Sequence, residues 1–119
     1  MVAHLIRDGE VAAVAVLLKA GNENTTVHQL WEHMSNTPDK EEVIAGVEVY
    51  PAGLLPRDTS YYTYMGSLTA PPCSEDVTWL ELKTPLDISA EEISAFAQLY
   101  PHDVRPLQPL NGRVVKESQ

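Results

Sequence analysis

The amino-terminal residues carry the pattern that most constrains the fold of this chain. Residues 2–7 alternate with the period-two pattern of a β-strand, which places the imidazole of His4 on one face between two apolar neighbours. Asp8-Gly9 follows, and this dipeptide is typical of tight hairpin turns. Residues 11–18 are then continuously apolar, which favours a strand covered on both faces, although the alanines in this run also suit a helix. Because the turn signal comes first, the pattern predicts a β-hairpin.

The remaining patterns predict further strands, loops and two short helices. Nine prolines against six glycines favour strand ends and loops over a helix bundle. Strands are predicted at residues 61–68 and 77–82, a strand or irregular extended segment at 43–49, loops at 35–42 and 51–56, and a β-like end at Val114-Val115. Capping boxes predict one helix from Thr26 and Gln29 to about Met34, and another from Ser89 and Glu92 to Pro101. The sequence therefore predicts a mainly β domain over residues 1–119.

Charge and hydropathy exclude several classes of function. The chain has 17 Asp and Glu against 8 Lys and Arg, a net charge of −9 and a pI of about 4.7. This charge repels phosphate backbones and anionic lipid surfaces, so nucleic acid and membranes are not expected partners. The sequence has no apolar run near the roughly 18 residues of a spanning helix, and no signal-peptide pattern, so the compartment stays open.

Four histidines and one cysteine are the candidate metal ligands. The histidines do not form an HxH or HExxH motif. His28 and His33 are five positions apart on a predicted helix, which makes them poor co-ligands and favours solvated positions, and His102 is expected in a turn. His4 differs, because an imidazole between apolar neighbours needs either an internal hydrogen-bond acceptor or a metal. Cys73 is expected to be a buried or half-buried free thiol, or to pair with sequence not present here.

The stretch YYTYMGSLTAPPCSE at residues 61–75, continued by Val77-Thr78-Trp79, resembles the signature of alpha-class carbonic anhydrases. The resemblance extends to His4-Leu5-Ile6, to the capped helix at Ser89 and to residues 105–113, and so spans nearly the whole chain. It implies a large, twisted, mostly antiparallel sheet with short surface helices. It also implies a zinc enzyme that hydrates carbon dioxide reversibly to bicarbonate and a proton.

The resemblance assigns a role to each matching position. His4 matches one of the three zinc histidines of the family, and Thr69 matches the threonine whose hydroxyl accepts a hydrogen bond from the zinc-bound hydroxide. Ala70 stands where a second threonine is common. The apolar wall that receives carbon dioxide is matched by Ile6, Ala13, Leu68 and Trp79.

The departures from the family pattern concern residues that precede His4 in relatives. The other two zinc histidines, the proton-shuttle histidine and the glutamate partner of the threonine are absent, as is the cysteine that Cys73 would bridge to in secreted members. Val2 replaces a carboxylate that usually supports the third histidine. The chain thus resembles the carboxyl-terminal half of the enzyme, with the amino-terminal part of the fold missing and two of three zinc ligands lacking. We expect activity only after complementation or self-association through exposed strands, or alternatively a catalytically silent binding module. Bacterial relatives are commonly periplasmic or secreted.

Overall fold

A computed structural model describes residues 1–34, 37 and 43–119, which divide into two compact units. The first unit comprises Met1–Leu17, Arg57–Pro85 and Val104–Gln119, and the second comprises Leu18–Pro56 and Leu86–Asp103. The strands are β1 Val2–Arg7, β2 Glu10–Ala15, β3 Leu18–Ala20, β4 Tyr61–Gly66, β5 Val77–Leu82, β6 Leu86–Ile88 and β7 Lys116–Glu117. The helices are α1 Thr25–Glu32, a 3₁₀-helix at Pro51–Leu54 and α2 Ala90–Leu99. A single domain over residues 1–119 stays a prediction, and the loop at 35–42 lies almost entirely outside the described residues.

The first unit is built on a five-stranded sheet with the order β1-β2-β5-β4-β7. Strands β1 and β2 form the predicted hairpin, in which Asp8 and Gly9 have φ angles of 52° and 83°. Positive φ at both turn positions is the geometry that Asp-Gly favours, and it sets the register by pairing Arg7 with Glu10. Strand β2 pairs parallel with β5, whereas β4 pairs antiparallel with both β5 and β7. The predicted mainly β, mostly antiparallel fold with short helices is confirmed.

The apolar run at residues 11–18 is a strand only as far as Ala15, and its two faces are covered to different extents. Ala13 is fully buried against Val77 and Trp79, whereas Ala12 and Val14, on the other face, are only half-buried. The period-two geometry of a strand explains the difference, because only alternate side chains reach the core of this unit.

The second unit contains the parallel pair β3–β6 and both α-helices. The predicted capping box of α2 is confirmed, since Ser89 Oγ accepts from Glu92 N at 3.2 Å and Glu92 Oε2 accepts from Ser89 N at 3.1 Å. The predicted cap of α1 was wrong. Asn24 caps this helix, with its Oδ1 accepting from Val27 N at 2.9 Å, so Thr26 is the second residue of the helix and lies two positions after the cap.

Three smaller corrections concern segment ends. Helix α1 ends at Glu32 rather than near Met34, and part of the loop predicted at 51–56 forms the 3₁₀-helix. Residues 43–49 are irregular, which is one of the two predicted alternatives. The carboxyl-terminal strand lies at Lys116–Glu117 rather than at Val114-Val115. Within the described ranges, no helix is long and apolar enough to cross a membrane.

Candidate functional site

Four side chains from different strands form a row across one face of the five-stranded sheet. His4 on β1 pairs with Ala13 on β2, Ala13 pairs with Trp79 on β5, and Trp79 pairs with Tyr64 on β4. Directly paired residues project to the same face of a sheet, so all four lie on the face that carries the core of this unit. Ile6 shares this face one row along, where its strand partner is Val11. The backbone register thus brings His4, Ile6, Ala13 and Trp79 to one surface.

The environment of His4 differs from the sequence expectation. Every residue of β1 is exposed, so the imidazole projects from the outer strand of the sheet into solvent. The alternative of a buried histidine with an internal acceptor is therefore wrong, because water satisfies an exposed ring. No three His, Cys, Asp or Glu side chains within residues 1–34, 37 and 43–119 are grouped as a metal site requires. His4 is therefore an accessible nitrogen ligand that is not grouped with two others among the described residues.

Trp79 is the most constrained side chain of the row. It is 8% exposed, and its Nε1 donates a hydrogen bond to Ser67 O at 3.0 Å. Its ring lies nearly parallel to that of Tyr64, with 4° between the planes and 6.3 Å between the centroids. Gly66 lies against the indole so closely that a Cβ there would be 2.7 Å from Trp79 Cδ1. A buried indole needs an acceptor for its N–H, and the carbonyl of Ser67 provides it.

The loop between β4 and β5 places the remaining predicted site residues. Leu68 N donates to Ser74 O at 2.9 Å, and Leu68 packs half-buried against the core. Thr69 and Ala70 are exposed, and Ala70 O accepts from Cys73 N at 2.8 Å. The turn therefore leaves the side chain of Thr69 exposed to solvent. The free thiol of Cys73 is half-buried, as expected, at a φ of 57°.

A shallow depression of about 280 Å³ lies between Thr69 and the apolar ring of Trp79, which we call the tryptophan wall. Thr69 and Trp79 line it together with the carboxyl-terminal segment, which contributes Arg105 and Leu107. The guanidinium of Arg105 donates to the hydroxyl of Ser67, which ties that segment to the loop. His4, Ile6, Ala13, Leu68 and Ala70 do not line the depression. The structure therefore places His4, Ile6, Ala13 and Trp79 on one face of the sheet, and this depression is lined by two of the predicted residues, Thr69 and Trp79.

Sequence reasoning assigned no role to the residues that hold this wall. They are Tyr64, Gly66, Ser67 and Arg105. The available signal was Trp79 within a predicted strand, because a tryptophan that packs in a sheet usually needs an acceptor for its N–H.

Among the histidines of the second unit, His28 joins the two helices. His28 Nδ1 lies 3.0 Å from Glu92 Oε1, and its Nε2 lies 3.5 Å from Glu32 Oε1. The hydrogen bond with Glu92 raises the pKa of His28, and nearby carboxylates add to this effect while desolvation opposes it. The ring is partly exposed, in line with the predicted solvated position, but it also joins the two helices, which the sequence did not predict. His33 is exposed, with its ring bonded to a backbone carbonyl, and His102 lies exposed in the predicted turn.

Comparisons with known proteins bear on the whole chain. The family model of the eukaryotic-type carbonic anhydrases matches residues 3–119. A carbonic anhydrase of Klebsiella pneumoniae is 44% identical over 117 residues, which cover 96% of this chain and 46% of that protein. A carbonic anhydrase of Nostoc sp. is 36% identical over 115 residues, which cover 97% of this chain and 44% of that protein. The chain spans about half the length of the curated relatives it matches.

Solved structures of carbonic anhydrases also superpose on this chain. The α-carbonic anhydrase of Photobacterium profundum superposes with a TM-score of 0.85 at 35% identity, covering 96% of this chain and 52% of that one. The α-carbonic anhydrase of Thermovibrio ammonificans, solved with the inhibitor sulfanilamide, gives 0.84 at 36% identity, covering 92% and 48%. Sequence and fold are therefore both shared with carbonic anhydrases, over about half of each of those proteins.

Proposed function

The chain belongs to the alpha-class, eukaryotic-type carbonic anhydrase family, and from this premise we propose that it supplies the carboxyl-terminal part of an enzyme that hydrates carbon dioxide reversibly to bicarbonate and a proton. The family match over residues 3–119 is the observation that carries the proposal. The sheet supports it, because the register places His4, Ala13 and Trp79 on one face although they come from three separate strands.

Zinc is the cofactor of this family, but the described residues do not by themselves fit a catalytic zinc site. Such sites use three protein ligands and one open position, and the described ranges contain no group of three candidate ligands. The proposal therefore assigns His4 as one ligand and places the other two on polypeptide that this chain does not contain. The residues of this chain alone therefore support no chemical step at a metal.

The roles proposed for this chain's own residues are binding and orientation. Trp79 offers an apolar wall, held in place by Ser67 and Tyr64, and carbon dioxide needs apolar contact area rather than charge. Thr69 lines the same depression, so its hydroxyl can bond a polar group that lies against this wall. Ile6, Ala13, Leu68 and Ala70 would complete the wall once the missing strands cover β1.

Complementation tests this proposal directly. The chain would be mixed with zinc and a separately produced amino-terminal segment of the Klebsiella pneumoniae relative, and hydration would be followed by stopped-flow with a pH indicator. We expect no rate above buffer for either part alone, and a chelator-sensitive rate for the mixture.

Two threonine variants make the test specific. Thr69→Ala should lower the rate of the complemented mixture by about 10- to 100-fold if the hydroxyl orients the reacting group. Thr63→Ala changes a residue of β4 that pairs with Leu80, in the row of the opposite face, and should leave the rate unchanged. An inactive mixture that nevertheless forms a stable complex with bound zinc would contradict the proposed activity.

The second candidate is a catalytically silent module that binds a partner through its sheet edge. The fully exposed strand β1 favours it, because unpaired edge strands readily take up another strand. The two candidates differ in metal content. Stoichiometric zinc in the complemented protein supports the enzyme, whereas a complex without zinc supports the silent module.

A further inference from the structure

The carboxyl-terminal segment at residues 105–113 is fixed at two points to the chain around the end of β4. At one end, the guanidinium of Arg105 donates to the hydroxyl of Ser67. Ser67 is the first residue of the loop between β4 and β5, residues 67–76, which we call the Thr69 loop. At the other end, Arg113 donates through one terminal nitrogen to Met65 O at 2.8 Å. The segment is therefore attached both to the last turn of β4 and to the start of the loop.

The segment is stiff enough to serve as an anchor. Arg113 also donates to Leu110 O and to Pro109 O, each at 3.0 Å, which closes the turn that precedes it. Gln108 Nε2 donates to Pro106 O at 2.9 Å, and the rings of the two prolines restrict their φ angles. A guanidinium carried by a backbone restricted in this way has little freedom to follow a moving loop.

Ser67 connects this anchor to the candidate site. Its hydroxyl accepts from Arg105 and donates to Leu68 O at 3.0 Å, while its carbonyl accepts from Trp79 Nε1 at 3.0 Å. Arg105 and Thr69 line the same depression. One residue therefore receives the guanidinium, bonds the tryptophan wall and begins the loop that carries Thr69.

Thr69 depends on the backbone of this loop for its position, because its own side chain is exposed. Two backbone bonds close the loop, from Leu68 N to Ser74 O at 2.9 Å and from Cys73 N to Ala70 O at 2.8 Å. These bonds join residues of the loop to each other, so they define its shape rather than its place against the tryptophan wall. That place depends on the contacts made where the loop begins.

We propose that Arg105 is a positioning residue for carbon dioxide hydration, which holds the Thr69 loop at the tryptophan wall through the hydroxyl of Ser67. This inference rests on the proposed function, because it assumes that the Thr69 hydroxyl orients the reacting group. A hydrogen bond from a charged donor is roughly twice as strong as one between neutral groups, so this bond is suited to hold an exposed loop in one arrangement. Position matters because a displacement of about 1 Å can lower a rate by about 100-fold.

Amide exchange of the chain alone tests the contact without any activity. Arg105→Ala should raise the exchange rates of the Leu68 and Cys73 amides by about tenfold, because both amides bond within the Thr69 loop. The amides of the paired strands β2 and β5 are the internal reference and should not change. Arg105→Lys keeps the charge but not the planar fork of donors, so it should fall between the parent and the alanine variant. Unchanged exchange in the loop, or an equal increase in loop and strands for both variants, overturns the proposal.

A double-mutant cycle in the complemented mixture tests positioning. Arg105→Ala should lower the hydration rate by about threefold to tenfold, which is less than the effect of Thr69→Ala, because loosening a group costs less than removing it. Lys19→Ala also removes one cation, from an ion pair with Asp87, and should leave the rate unchanged. In a Thr69→Ala background, Arg105→Ala should have no further effect, because the group that it positions is gone. An equal loss in both backgrounds overturns the proposal, since a merely structural contribution does not depend on Thr69.

A second cycle separates positioning from direct contact with the substrate. Arg105 also lines the depression, so the alternative is that its guanidinium binds bicarbonate itself. Direct binding predicts that Arg105→Ala lowers the rate equally in the parent and in a Ser67→Ala background, whereas positioning through Ser67 predicts no effect in that background.

Failure of the proposed function is distinguishable from failure of this inference. A parent mixture without activity refutes the proposed function, and the exchange rates of the Thr69 loop still decide whether Arg105 holds it. An active mixture in which the effect of Arg105→Ala is independent of Ser67 or of Thr69 refutes the positioning role alone.

Discussion

Gly66→Ala tests how tightly the tryptophan wall is packed. Gly66 is the last residue of β4, and a Cβ at this position would lie 2.7 Å from Trp79 Cδ1 and 2.9 Å from Trp79 Nε1. Both distances are shorter than any ordinary contact. The indole cannot simply swing away, because its N–H bonds Ser67 O and its face lies parallel to Tyr64.

The expected change in the free energy of unfolding is the difference between two opposing contributions. Overfilling a packed site destabilises a protein by about 1 to 3 kcal/mol. Replacing glycine by alanine reduces the entropy of the unfolded chain and stabilises by about 0.4 to 1 kcal/mol where the backbone allows it. The net loss in the free energy of unfolding should therefore be about 1 to 2 kcal/mol, which corresponds to a fall in Tm of about 4 to 8 °C for a chain of this size.

Thermal and urea unfolding followed by circular dichroism measure this loss. The matched control is Gly66→Ala in a Trp79→Val background, where the ring is gone and the alanine should be neutral or stabilising. A Gly66→Ala protein as stable as the parent, or an equal loss in both backgrounds, would refute the packing argument.

Two further predictions concern the second unit. The hydrogen bond with Glu92, supported by neighbouring carboxylates, raises the pKa of His28. The protonated ring therefore stabilises the folded chain fully below about pH 6.5, the usual pKa of an unfolded histidine, and this stability is lost as the pH rises through the folded-state pKa. The urea midpoint should therefore fall from pH 6 to pH 8 more for the parent than for His28→Gln, and parallel pH curves would exclude this role. Asn24→Ala should lower the free energy of unfolding by about 1 kcal/mol, because it removes the α1 cap. Thr26→Ser should lower it much less, because Thr26 does not cap the helix. The reverse order in urea titrations would show that the capping box predicted from the sequence was correct.

Local patterns in the sequence were sufficient for the elements whose determinants are themselves local. Asp8-Gly9 predicts its hairpin because the turn requires positive φ at two adjacent positions, which this dipeptide tolerates. In the capping box of Ser89 and Glu92, each side chain accepts a hydrogen bond from the backbone N–H of the other residue, so the pattern itself defines the start of the helix. The Thr26 assignment failed because Asn24 lies two residues earlier and is a better cap than threonine, and the structure shows its side chain accepting from Val27 N.

The candidate site was harder to predict because its geometry depends on pairings between distant strands. The sequence indicates that His4 alternates with its neighbours, but the partner that decides its exposure is the strand beyond it, and the described sheet ends at β1. Likewise, the acceptor of the Trp79 N–H lies twelve positions earlier, on the loop after β4. Such contacts follow from topology, which residue patterns alone do not determine.

The parallel pairing of β2 with β5 has a consequence for the order of folding. Its register matches Val11 with Val77, and the whole of β3, α1 and β4 lies between them in the sequence. The two antiparallel pairs that flank this junction, β1–β2 and β4–β5, close over much shorter stretches of chain. We therefore expect the two hairpins to form early and their joining to limit the rate of folding. Until the two hairpins join, β2 and β5 of a newly synthesised chain would each have one edge without a strand partner.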